Sequence, residues 1–399
     1  MINHDLMRVH NTSKIFDAIR ESDKLLTKRQ IHKQSNLSWA VVSVAIGKLV
    51  EDGHIVEIIA PATNKVGRPA KVYDISDKRN LLIGVEINIS GLHVVAIDLK
   101  CRILYSKNAM IINNNSGVIL NTVTEMIKKC IKELGSSKII GIGFGLMGVV
   151  DTESGIAKYS PFFKNWKDLL IKGRFEKEFG IPVLIESDPN CLALAELNIG
   201  SIKKPGSAVV LKISHGIGMA MVLEGRLYKG YGNSAIEFGH ICLDLNGPLC
   251  SCGKRGCLES YASVSGIAAR LRESAKDVKN GYEGISEESM DGDLAILNRL
   301  SKAAANDDAS ARYLFEQAGD KLGISLGNFI TMLNPGCVII GGAFTDYFHL
   351  FMERLLKSMS IVSRHFAKTD ILLSKLGNNA TAIGAATLFI QKRIWEEWM

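Results

Sequence analysis

The sequence predicts an α/β fold with two lobes, preceded by a smaller domain of helices and a β-hairpin. A chain of 399 residues exceeds what a single hydrophobic core organises, so two or three domains are expected. The first 78 residues show helical patterns that end in two short strand-like runs. From residue 79 onward, strand-like runs alternate with amphipathic helices, which is typical of layered α/β domains.

The composition is that of an ordinary globular protein, with 47% hydrophobic and 22% charged residues. No apolar run reaches the ~20 residues that a membrane-spanning helix needs, and no basic start followed by an apolar segment indicates a secretory signal. Apart from one cluster, the cysteines are scattered among apolar neighbours, as reduced cysteines are. These features predict a cytoplasmic protein with no membrane partner.

Helix and turn signals organise the first domain. Ser38 is placed to cap a helix whose apolar residues recur at helical spacing, and Gly53 stops that helix. Two β-branched runs then form a hairpin with basic residues near its tip. Helix, turn, helix and a basic hairpin predict a winged helix-turn-helix over residues 1–78. The predicted elements are helices at 13–20, 27–34 and 38–52, and strands at 55–59 and 72–75.

A basic excess at the same end of the chain indicates a polyanionic partner. Residues 1–80 hold 13 lysines and arginines against 9 acidic residues, so +4 of the net charge of +7 lies there. In a winged domain the helix after Ser38 would lie in the major groove of double-stranded DNA, and the hairpin would contact a phosphate or the minor groove. The predicted DNA contacts are Ser38, Trp39, Ser43, Lys48, Lys65 and Arg68. A small helical protein-interaction module is the alternative.

The rest of the chain divides into two lobes with a cleft between them. We expect a small lobe over residues 79–190 and 385–399. A large lobe over 191–384 would carry a cysteine-rich loop and helices for oligomerisation. The predicted strands are 81–89, 92–98, 102–105, 139–144, 182–186, 209–213, 219–223 and 338–340. The predicted helices are 118–134, those within 263–332, and 382–398.

The cysteine-rich loop predicts a structural zinc site. His240, Cys250, Cys252 and Cys257 follow one another as H-x9-C-x-C-x4-C, one imidazole and three potential thiolates. Zn²⁺ prefers a closed tetrahedral shell of such ligands, and four protein ligands leave no position for a catalytic water. Glycines between the cysteines let the backbone turn tightly around one ion. A loop of reduced cysteines without a metal is the alternative.

The same stretch resembles the signature of the ROK family, which contains bacterial sugar kinases and sugar-responsive repressors. The family pattern is Gly-Glu-x-Gly-His followed by Cys-x-Cys-Gly-x-x-Gly-Cys-x-Glu, and only its first glycine departs here, as Ile236. The resemblance covers nearly the whole chain and implies the actin-like ATPase (ribonuclease H-like) fold. It also implies that Glu237, His240 and Glu259 contact a sugar. Asp188 joins them, because it matches the general base of ROK kinases; capping the helix that follows is its alternative role.

The positions that would handle a nucleotide depart from the kinase pattern. Where ROK kinases have Asp-x-Gly-x-Thr, Asn88 stands in the place of the glycine, so a side chain lies where phosphate would meet bare backbone. In the second glycine loop, His215 and Ala220 replace a threonine and a glycine. Phe162 also replaces an asparagine that contacts the sugar in the kinases. The resemblance therefore implies a kinase-like protein without catalytic activity, in which Asp188 is a vestigial base.

The combined pattern predicts a sugar-responsive transcriptional regulator, with a repressor favoured. The winged domain would bind operator DNA. A sugar or sugar derivative in the cleft would change that binding if the two states of the protein bind the ligand unequally. Palindromic operators favour a homodimer or a dimer of dimers. Two alternatives stay open: an ATP-dependent sugar kinase with an appended DNA-binding domain, and a protein-binding scaffold that uses neither DNA nor sugar.

Overall fold

The computed structural model describes residues 4–59, 70–202, 206–231, 236–277, 291–363 and 369–392. The chain begins with α1 (His4–Arg20), β1 (Leu26–Thr27), α2 (Lys28–Ser35), α3 (Trp39–Glu51), β2 (Ile55–Ile59) and β3 (Lys71–Ile75). β3 lies in the middle of a three-stranded sheet and pairs antiparallel with β1 and β2. The helices and the hairpin follow the predicted order, but β1 and the three-stranded sheet differ from the two-stranded hairpin that was predicted. Lys65 and Arg68, the predicted contacts at the hairpin tip, lie outside the described residues.

Side-chain caps begin α2 and α3. Thr27 and Gln30 form a capping box, in which the Thr27 hydroxyl accepts from the Gln30 N–H and the Gln30 side chain accepts from the Thr27 N–H. Asn36 then takes a left-handed conformation with φ of 54°. Ser38 Oγ accepts from the Val41 N–H, which confirms Ser38 as the cap of α3. The turn between the helices therefore follows from local chemistry.

The first lobe is built on a five-stranded sheet. Its elements are β4 (Leu81–Asn88), β5 (Gly91–Ile97), β6 (Ile103–Ala109), α4 (Ser116–Leu134), β7 (Ile139–Leu146), β8 (Val149–Asp151), β9 (Ile156–Tyr159), β10 (Lys167–Leu169), α5 (Ile171–Phe179) and β11 (Val183–Ser187). The large sheet has the order β11-β7-β4-β5-β6, and β8 to β10 form a small antiparallel sheet of their own. β4 is central, antiparallel to β5 and parallel to β7. Because both faces of β4, β5 and β7 are buried, these strands are mostly apolar in the sequence and do not alternate with polar residues.

The second lobe repeats this arrangement. Its strands are β12 (Ala208–Ile213), β13 (Ile217–Leu223), β14 (Arg226–Leu227), β15 (Cys337–Gly341) and β16 (Asp370–Leu373), in the sheet order β14-β13-β12-β15-β16. β12, like β4, is central, antiparallel to the next strand and parallel to a later one. The helices that pack on this sheet are α7 (Leu258–Ala262), α8 (Val264–Asp277), α9 (Asp291–Ala305), α10 (Ala309–Leu333) and α11 (Met352–Val362). The repeat of one sheet topology is the two-lobed α/β fold that was predicted.

Two helices lie between the sheets, α6 (Asp188–Asn198) and α12 (Ala380–Ala386). α12 packs on β4 and β7, α6 packs on β12 and β13, and the two helices pack on each other. Backbone approaches backbone so closely here that glycine is required. A Cβ on Gly84 would lie 1.8 Å from the Ala382 carbonyl oxygen, and one on Gly384 would lie 1.6 Å from the Cys191 carbonyl oxygen. The two helices therefore join the lobes.

The N-terminal domain and the first lobe share one hydrophobic core. Apolar side chains of α1 and α3 belong to the same buried cluster as residues of β4 and β5 and of the turn after β5; they include Ile15, Phe16, Ile46, Leu82, Val95 and Leu99. Charges cross the same junction. Lys100 Nζ lies 2.7 Å from Asp74 Oδ1 and donates to the Ser22 carbonyl at 2.8 Å, and Arg102 lies 2.9 Å from the other Asp74 oxygen. The first domain is therefore packed on the lobe.

Some elements differ from their predictions. The single closing helix predicted over 382–398 is wrong: the chain forms α12 and then the short α13 (Leu388–Gln391), and residues 393–399 lie outside the described part. Thr387 separates them, and its hydroxyl donates to the Gly384 carbonyl at 2.7 Å, which competes with the regular helix bonds. The small sheet of β8 to β10 and the edge strands β14 and β16 were missed because such short elements show no period. The exact domain boundaries stay predictions. Among the described residues, no helix is both long and apolar enough to cross a bilayer.

Candidate sugar site and metal cluster

Four side chains converge in the loop that precedes α7. One potential ligand atom from each of His240, Cys250, Cys252 and Cys257 lies within 4.8 Å of the other three. His240 Nδ1 is 3.6 Å from Cys250 Sγ, and Cys252 Sγ is 3.7 Å from Cys257 Sγ. One nitrogen and three sulfurs at these separations form the donor set of a tetrahedral metal site. The cluster that the spacing predicted can therefore hold a metal ion.

Two glycines let the loop close around this cluster. Gly253 and Gly256 have φ of 85° and 67°, a left-handed conformation that favours glycine. A Cβ on Gly256 would lie only 1.6 Å from the Asp244 carbonyl oxygen, so no larger residue fits there. The Cys250 N–H donates to the Lys254 carbonyl at 2.8 Å and closes the turn. The backbone thus places the ligands by its own hydrogen bonds and steric limits.

Glu259, in the first turn of α7, joins the metal loop to the glycine loop after β12. Its Oε2 accepts from the Ile217 N–H at 2.9 Å, and its Oε1 accepts from the Ser251 hydroxyl at 3.0 Å. A Cβ on Gly216 would lie 2.7 Å from Oε2. Gly216 therefore leaves the space in which the Glu259 carboxylate is held.

The four residues predicted to contact a sugar line one cavity of about 250 Å³. They are Asp188, Glu237, His240 and Glu259, and the wall also contains Lys212 and Phe162. Asp188 begins α6, while the other three come from the second lobe, so the cavity lies in the cleft between the lobes. Phe162 forms part of the wall and leaves the cavity open. His240 turns Nδ1 toward the sulfur cluster, so Nε2 is the ring nitrogen left for a ligand.

A buried lysine that was not among the predicted site residues lies in the centre of the cleft. Lys212 on β12 is only 7% exposed. Its Nζ lies 2.7 Å from Glu86 Oε1 and 2.9 Å from Asp188 Oδ2, and it donates to Thr381 Oγ1 at 3.1 Å. An ammonium has three N–H donors, and all three have a partner here. Because the partners lie on β4, α6 and α12, this one side chain connects both lobes and the helices between them.

The charges of this centre shift one another's ionisation. Burial raises the pKa of Asp188 above its ordinary value, although Lys212 opposes that shift. Burial acts the same way on Glu86, but there the Lys212 charge prevails and the pKa is lowered. Burial alone would lower the pKa of Lys212, whereas the Asp188 and Glu86 carboxylates raise it above its usual value. Lys212 therefore stays charged at neutral pH.

A second ion pair joins the lobes beside the first. Lys229, which follows β14, has its Nζ 2.7 Å from Glu186 Oε2, and Glu186 is buried at the end of β11. Glu86 and Glu186 are both in register with Gly145, one on each side of β7. Two acidic residues on the strands that flank β7 in the first lobe thus meet two lysines of the second. Neither pair could be read from the sequence, because the partners are far apart in it.

The predicted DNA-contacting residues of α3 lie on or near its exposed side. Trp39 is 51% exposed and Val44 is 72% exposed, while Ser43 is half-buried. Lys48 is half-buried near the end of the helix, and Ser38 is exposed with its hydroxyl engaged as the cap of α3. The Trp39 ring also lies 5.7 Å from the Lys28 ammonium of α2, so a basic side chain adjoins this surface.

Comparison with known proteins identifies the family. The family model described as ROK matches residues 82–392. The chain belongs to the ROK family. The xylose repressor of Caldicellulosiruptor bescii is 27% identical to it over 98% of both chains. Two solved ROK structures share the fold.

One is a ROK family transcriptional regulator, a homologue of the Escherichia coli MLC protein. It covers 98% of this chain and 97% of its own at 23% identity, with a TM-score of 0.75. The other is a ROK family glucokinase from Streptomyces griseus, solved with glucose and AMPPNP. It covers 78% of this chain and all of its own at 25% identity, with a TM-score of 0.66. The predicted ROK resemblance and the actin-like two-lobed fold are thus confirmed.

On the nucleotide side of this ROK cleft, the departing residues have structural partners. Asn88 Nδ2 donates to Glu86 Oε1 at 2.7 Å, and Asn88 Oδ1 accepts from the Gly91 N–H at 3.1 Å. His215 is buried in the second glycine loop. Asn88 thus supports the carboxylate that pairs with Lys212. The position that matches the glycine of the kinase pattern thus carries a hydrogen-bonded side chain.

Ile236 departs from the ROK signature in a way the backbone explains. Its φ is 66°, a left-handed conformation that is strained for a β-branched residue. Glycine adopts that conformation freely, which accounts for the glycine of the family pattern at this position. In this chain the Ile236 side chain packs against the core of the second lobe, and this contact offsets part of the strain.

Lys212 is the functional candidate that the sequence reasoning missed. A signal was present, since one lysine interrupts the otherwise apolar run of β12. Glu86 interrupts β4 in the same way. A charge within a fully buried strand requires a partner of opposite charge. The lysine therefore indicated a buried carboxylate, and the glutamate indicated a buried cation. The sequence alone gave no means of pairing them.

Proposed function

We propose that this ROK protein is a sugar-responsive transcriptional repressor that binds operator DNA and does not transfer phosphate. The xylose repressor aligns with this protein over 98% of both chains, whereas the full length of the glucokinase aligns with only 78% of this chain. That difference supports a role that requires the part of the chain outside the kinase-like domain. The helices and hairpin of the first domain support a winged helix-turn-helix, and operator binding would take place in the cytoplasm.

The observation that carries the sugar part of the proposal is the shared cavity. Asp188, Glu237, His240 and Glu259 come from separate segments and line the same space. Carboxylates accept hydrogen bonds from neighbouring hydroxyls, and an imidazole N–H donates in a direction fixed by the ring. Such a ring of acceptors with one oriented donor suits a polyhydroxylated ligand.

We propose a neutral monosaccharide as the ligand. Three carboxylates line the cavity, and its lysine already donates to Glu86, Asp188 and Thr381. A phosphate group would meet like charges without a free cation to pair with. A volume of about 250 Å³ lies just below the range of about 300 to 1,000 Å³ that is usual for ligand pockets, so a single ring fits better than an oligosaccharide.

A thermal-shift screen tests the ligand. Free aldopentoses, aldohexoses and N-acetylated hexosamines would be compared with their phosphate esters. A neutral sugar should raise the Tm, because a ligand at a hundred times its Kd adds about 2.7 kcal/mol to stability. A shift by phosphate esters alone would contradict the proposed charge class. No shift with any sugar would contradict sugar binding and favour the scaffold alternative.

Duplexes selected from a random-sequence DNA library test the repressor role. The selected DNA should bind in a salt-dependent manner, and the sugar found in the screen should weaken that binding. Replacing Lys65 and Arg68 with Ala should weaken binding and flatten its salt dependence. Lys128, which pairs with Glu125 and Glu178 on α4 and α5, provides a matched control outside the first domain. Stronger DNA binding with sugar would reverse the sign of regulation.

The absence of catalysis is tested by a coupled ADP assay on the same panel of sugars. With side chains at Asn88 and His215 in the phosphate-handling loops, we expect no sugar-dependent ADP release above background. Sugar-dependent release would instead make the chain a kinase with an appended DNA-binding domain.

We also propose that the metal of the His240 cluster is Zn²⁺ and that its role is structural. The donor set of one imidazole and three thiols supports zinc, and the four protein ligands leave no open position. Elemental analysis should find zinc bound to wild type and lost from Cys252→Ser. Cys242→Ser is the matched control, because this exposed cysteine is outside the cluster and its variant should keep the metal. Equal zinc content in both variants would contradict the site.

A homodimer or dimer of dimers remains our proposal for the assembly. Palindromic operators support it. Large apolar side chains exposed on α10 and α11, namely Ile324, Met332, Leu356 and Ile361, offer a surface for it. Light scattering of the purified chain measures the mass directly, and a monomer at micromolar concentration would contradict this assembly.

A further inference from the structure

Lys212 is a buried cation between the two lobes of the cleft. It is buried, its three donors are satisfied, and it reaches the first lobe from the central strand of the second. It also lines the sugar cavity next to Asp188. The lysine thus belongs both to the wall of the site and to the contact between the lobes.

We infer that Lys212 is a positioning residue of the sugar site, whose ammonium keeps Asp188 as a carboxylate in the cavity wall while it holds the two lobes together. This inference rests on the proposed sugar-binding function and deepens it. A fixed side-chain cation supplies the positive charge between Glu86 and Asp188, so the site is complete without a nucleotide or a metal ion at this place.

The electrostatic argument depends on what surrounds the pair. Glu86 and Asp188 each have an oxygen within 2.9 Å of the same nitrogen, so without it two buried carboxylates would face each other and share a proton. Other charges nearby do not replace the lysine. Lys229 is paired with Glu186, and His93 on β5 faces Glu86 alone. Burial raises the pKa of the Cys191 thiol well above its ordinary value, so that thiol is neutral.

The consequence for a sugar follows from the hydrogen-bonding inventory. An ionised carboxylate only accepts, and its bonds to hydroxyl groups are stronger than those of a neutral acid. A protonated Asp188 would lose acceptor capacity and would change its preference among sugar hydroxyls. Lys212 therefore keeps the contribution of Asp188 to sugar affinity unchanged across the neutral range.

Lys212→Met tests this, because methionine keeps most of the length of the stem and removes the charge. Sugar affinity would be titrated calorimetrically at pH 6, 7 and 8, and Tm would be measured at the same pH values without sugar. Wild type should bind equally at all three. The variant should bind at least about tenfold more weakly, and its affinity should change with pH.

The sugar-free Tm is a second, independent readout. In the variant, the pKa of the carboxyl pair is higher in the folded state than in the unfolded state. Protonation therefore stabilises the folded variant at low pH, and this stabilisation is lost as the pH rises. The Tm of Lys212→Met should therefore fall from pH 6 to pH 8 relative to wild type. A purely structural loss would lower Tm equally at each pH. The double variant E86Q/K212M should show a smaller slope, because Asp188 then faces no second carboxylate.

The outcomes separate the two proposals. If no sugar binds wild type, the proposed function fails, while the pH slope of Tm still reports whether Lys212 sets the charge of Asp188. If wild type binds sugar and Lys212→Met binds equally well at every pH, this inference alone is overturned. Should Lys212→Met fail to fold, Lys212→Gln, which also removes the charge but keeps an N–H donor, carries the test, and binding equal to wild type at every pH would overturn the inference.

Discussion

At the scale of single residues, the sugar cavity depends on the absence of side chains as much as on their presence. Glu259 reaches both Ile217 and Ser251 only because Gly216 has no Cβ. The glycine loop after β12 thus binds a carboxylate of its own chain. One anion has therefore taken the N–H of Ile217, which would otherwise be free for a ligand.

Gly216→Ala should weaken sugar binding about tenfold, which corresponds to about 1.4 kcal/mol. The added methyl group would lie 2.7 Å from Glu259 Oε2 and displace a carboxylate held by charge-assisted hydrogen bonds. Calorimetry on the sugar identified by thermal shift measures the change. Gly173→Ala on α5 is the matched control, because a Cβ there meets no atom within 4 Å. Unchanged affinity in Gly216→Ala would remove Glu259 from the sugar site.

At the scale of elements, α6 reaches from the sugar cavity toward the first domain. Asp188 begins it, and Leu197 and Asn198 at its other end line a cavity of about 630 Å³ together with Arg20 and Lys100. Lys100 in turn contacts Asp74 on β3 and the Ser22 carbonyl. A sugar-induced shift of α6 would therefore be felt at the junction with the DNA-binding domain.

Lys100→Met should uncouple sugar from DNA without changing the sugar site. Sugar affinity should match wild type, while the ratio of DNA affinities with and without sugar should fall roughly fivefold, about 1 kcal/mol of coupling. Fluorescence anisotropy on a selected duplex measures both states. Lys128→Met removes the exposed ion pairs of one lysine with Glu125 on α4 and Glu178 on α5, and it should leave the ratio unchanged. A ratio equal to wild type in Lys100→Met would place the coupling elsewhere.

Gly384→Ala should destabilise the protein by about 3 kcal/mol, since overpacking would force α6 and α12 apart. The methyl group would overlap the Cys191 carbonyl oxygen, and backbone cannot move aside as a side chain can. Urea unfolding measures the loss. On α3, Gly47→Ala meets no atom within 4 Å and should instead stabilise by about 1 kcal/mol through helix propensity. Equal stability of Gly384→Ala and wild type would contradict the tight packing.

At the scale of the whole molecule, the first domain shares a hydrophobic core with one face of the first lobe's sheet, while the other face packs on α4 and α5. α1 and α3 bury their apolar faces in the cluster that contains Leu82, Val95 and Leu99. Removing the domain would expose that surface to water. The DNA-binding part is therefore built into the ROK fold and is not attached by a free linker.

Heat should unfold the N-terminal domain and the first lobe in one cooperative transition, because they share one core. Differential scanning calorimetry of the full chain measures this, with tryptophan fluorescence as a second probe. A chain shortened to residues 79–399 should have a lower Tm and bind an apolar dye. Two well-separated transitions, with the upper one at the Tm of the shortened chain, would contradict the shared core.

Much of this protein follows from local sequence. The cap at Ser38, the end of α3 at Gly53 and the apolar strands each depend on residues a few positions apart, so pattern and propensity were sufficient. The metal cluster was predictable for the same reason, since its last three ligands lie within one short loop with glycines at the turns. The grouping of Asp188 with Glu237, His240 and Glu259 required the ROK resemblance.

The tertiary structure alone decided which charges meet. Lys212 and Glu86 are 126 positions apart, and only the pairing of the lobes through α6 and α12 brings them together. The same applies to Lys229 with Glu186, to Gly384 against Cys191, and to the core shared by α1 and β5. Sequence patterns indicate which residues must be buried. They do not identify the partner of a buried charge, because any opposite charge that the fold places beside it can satisfy it.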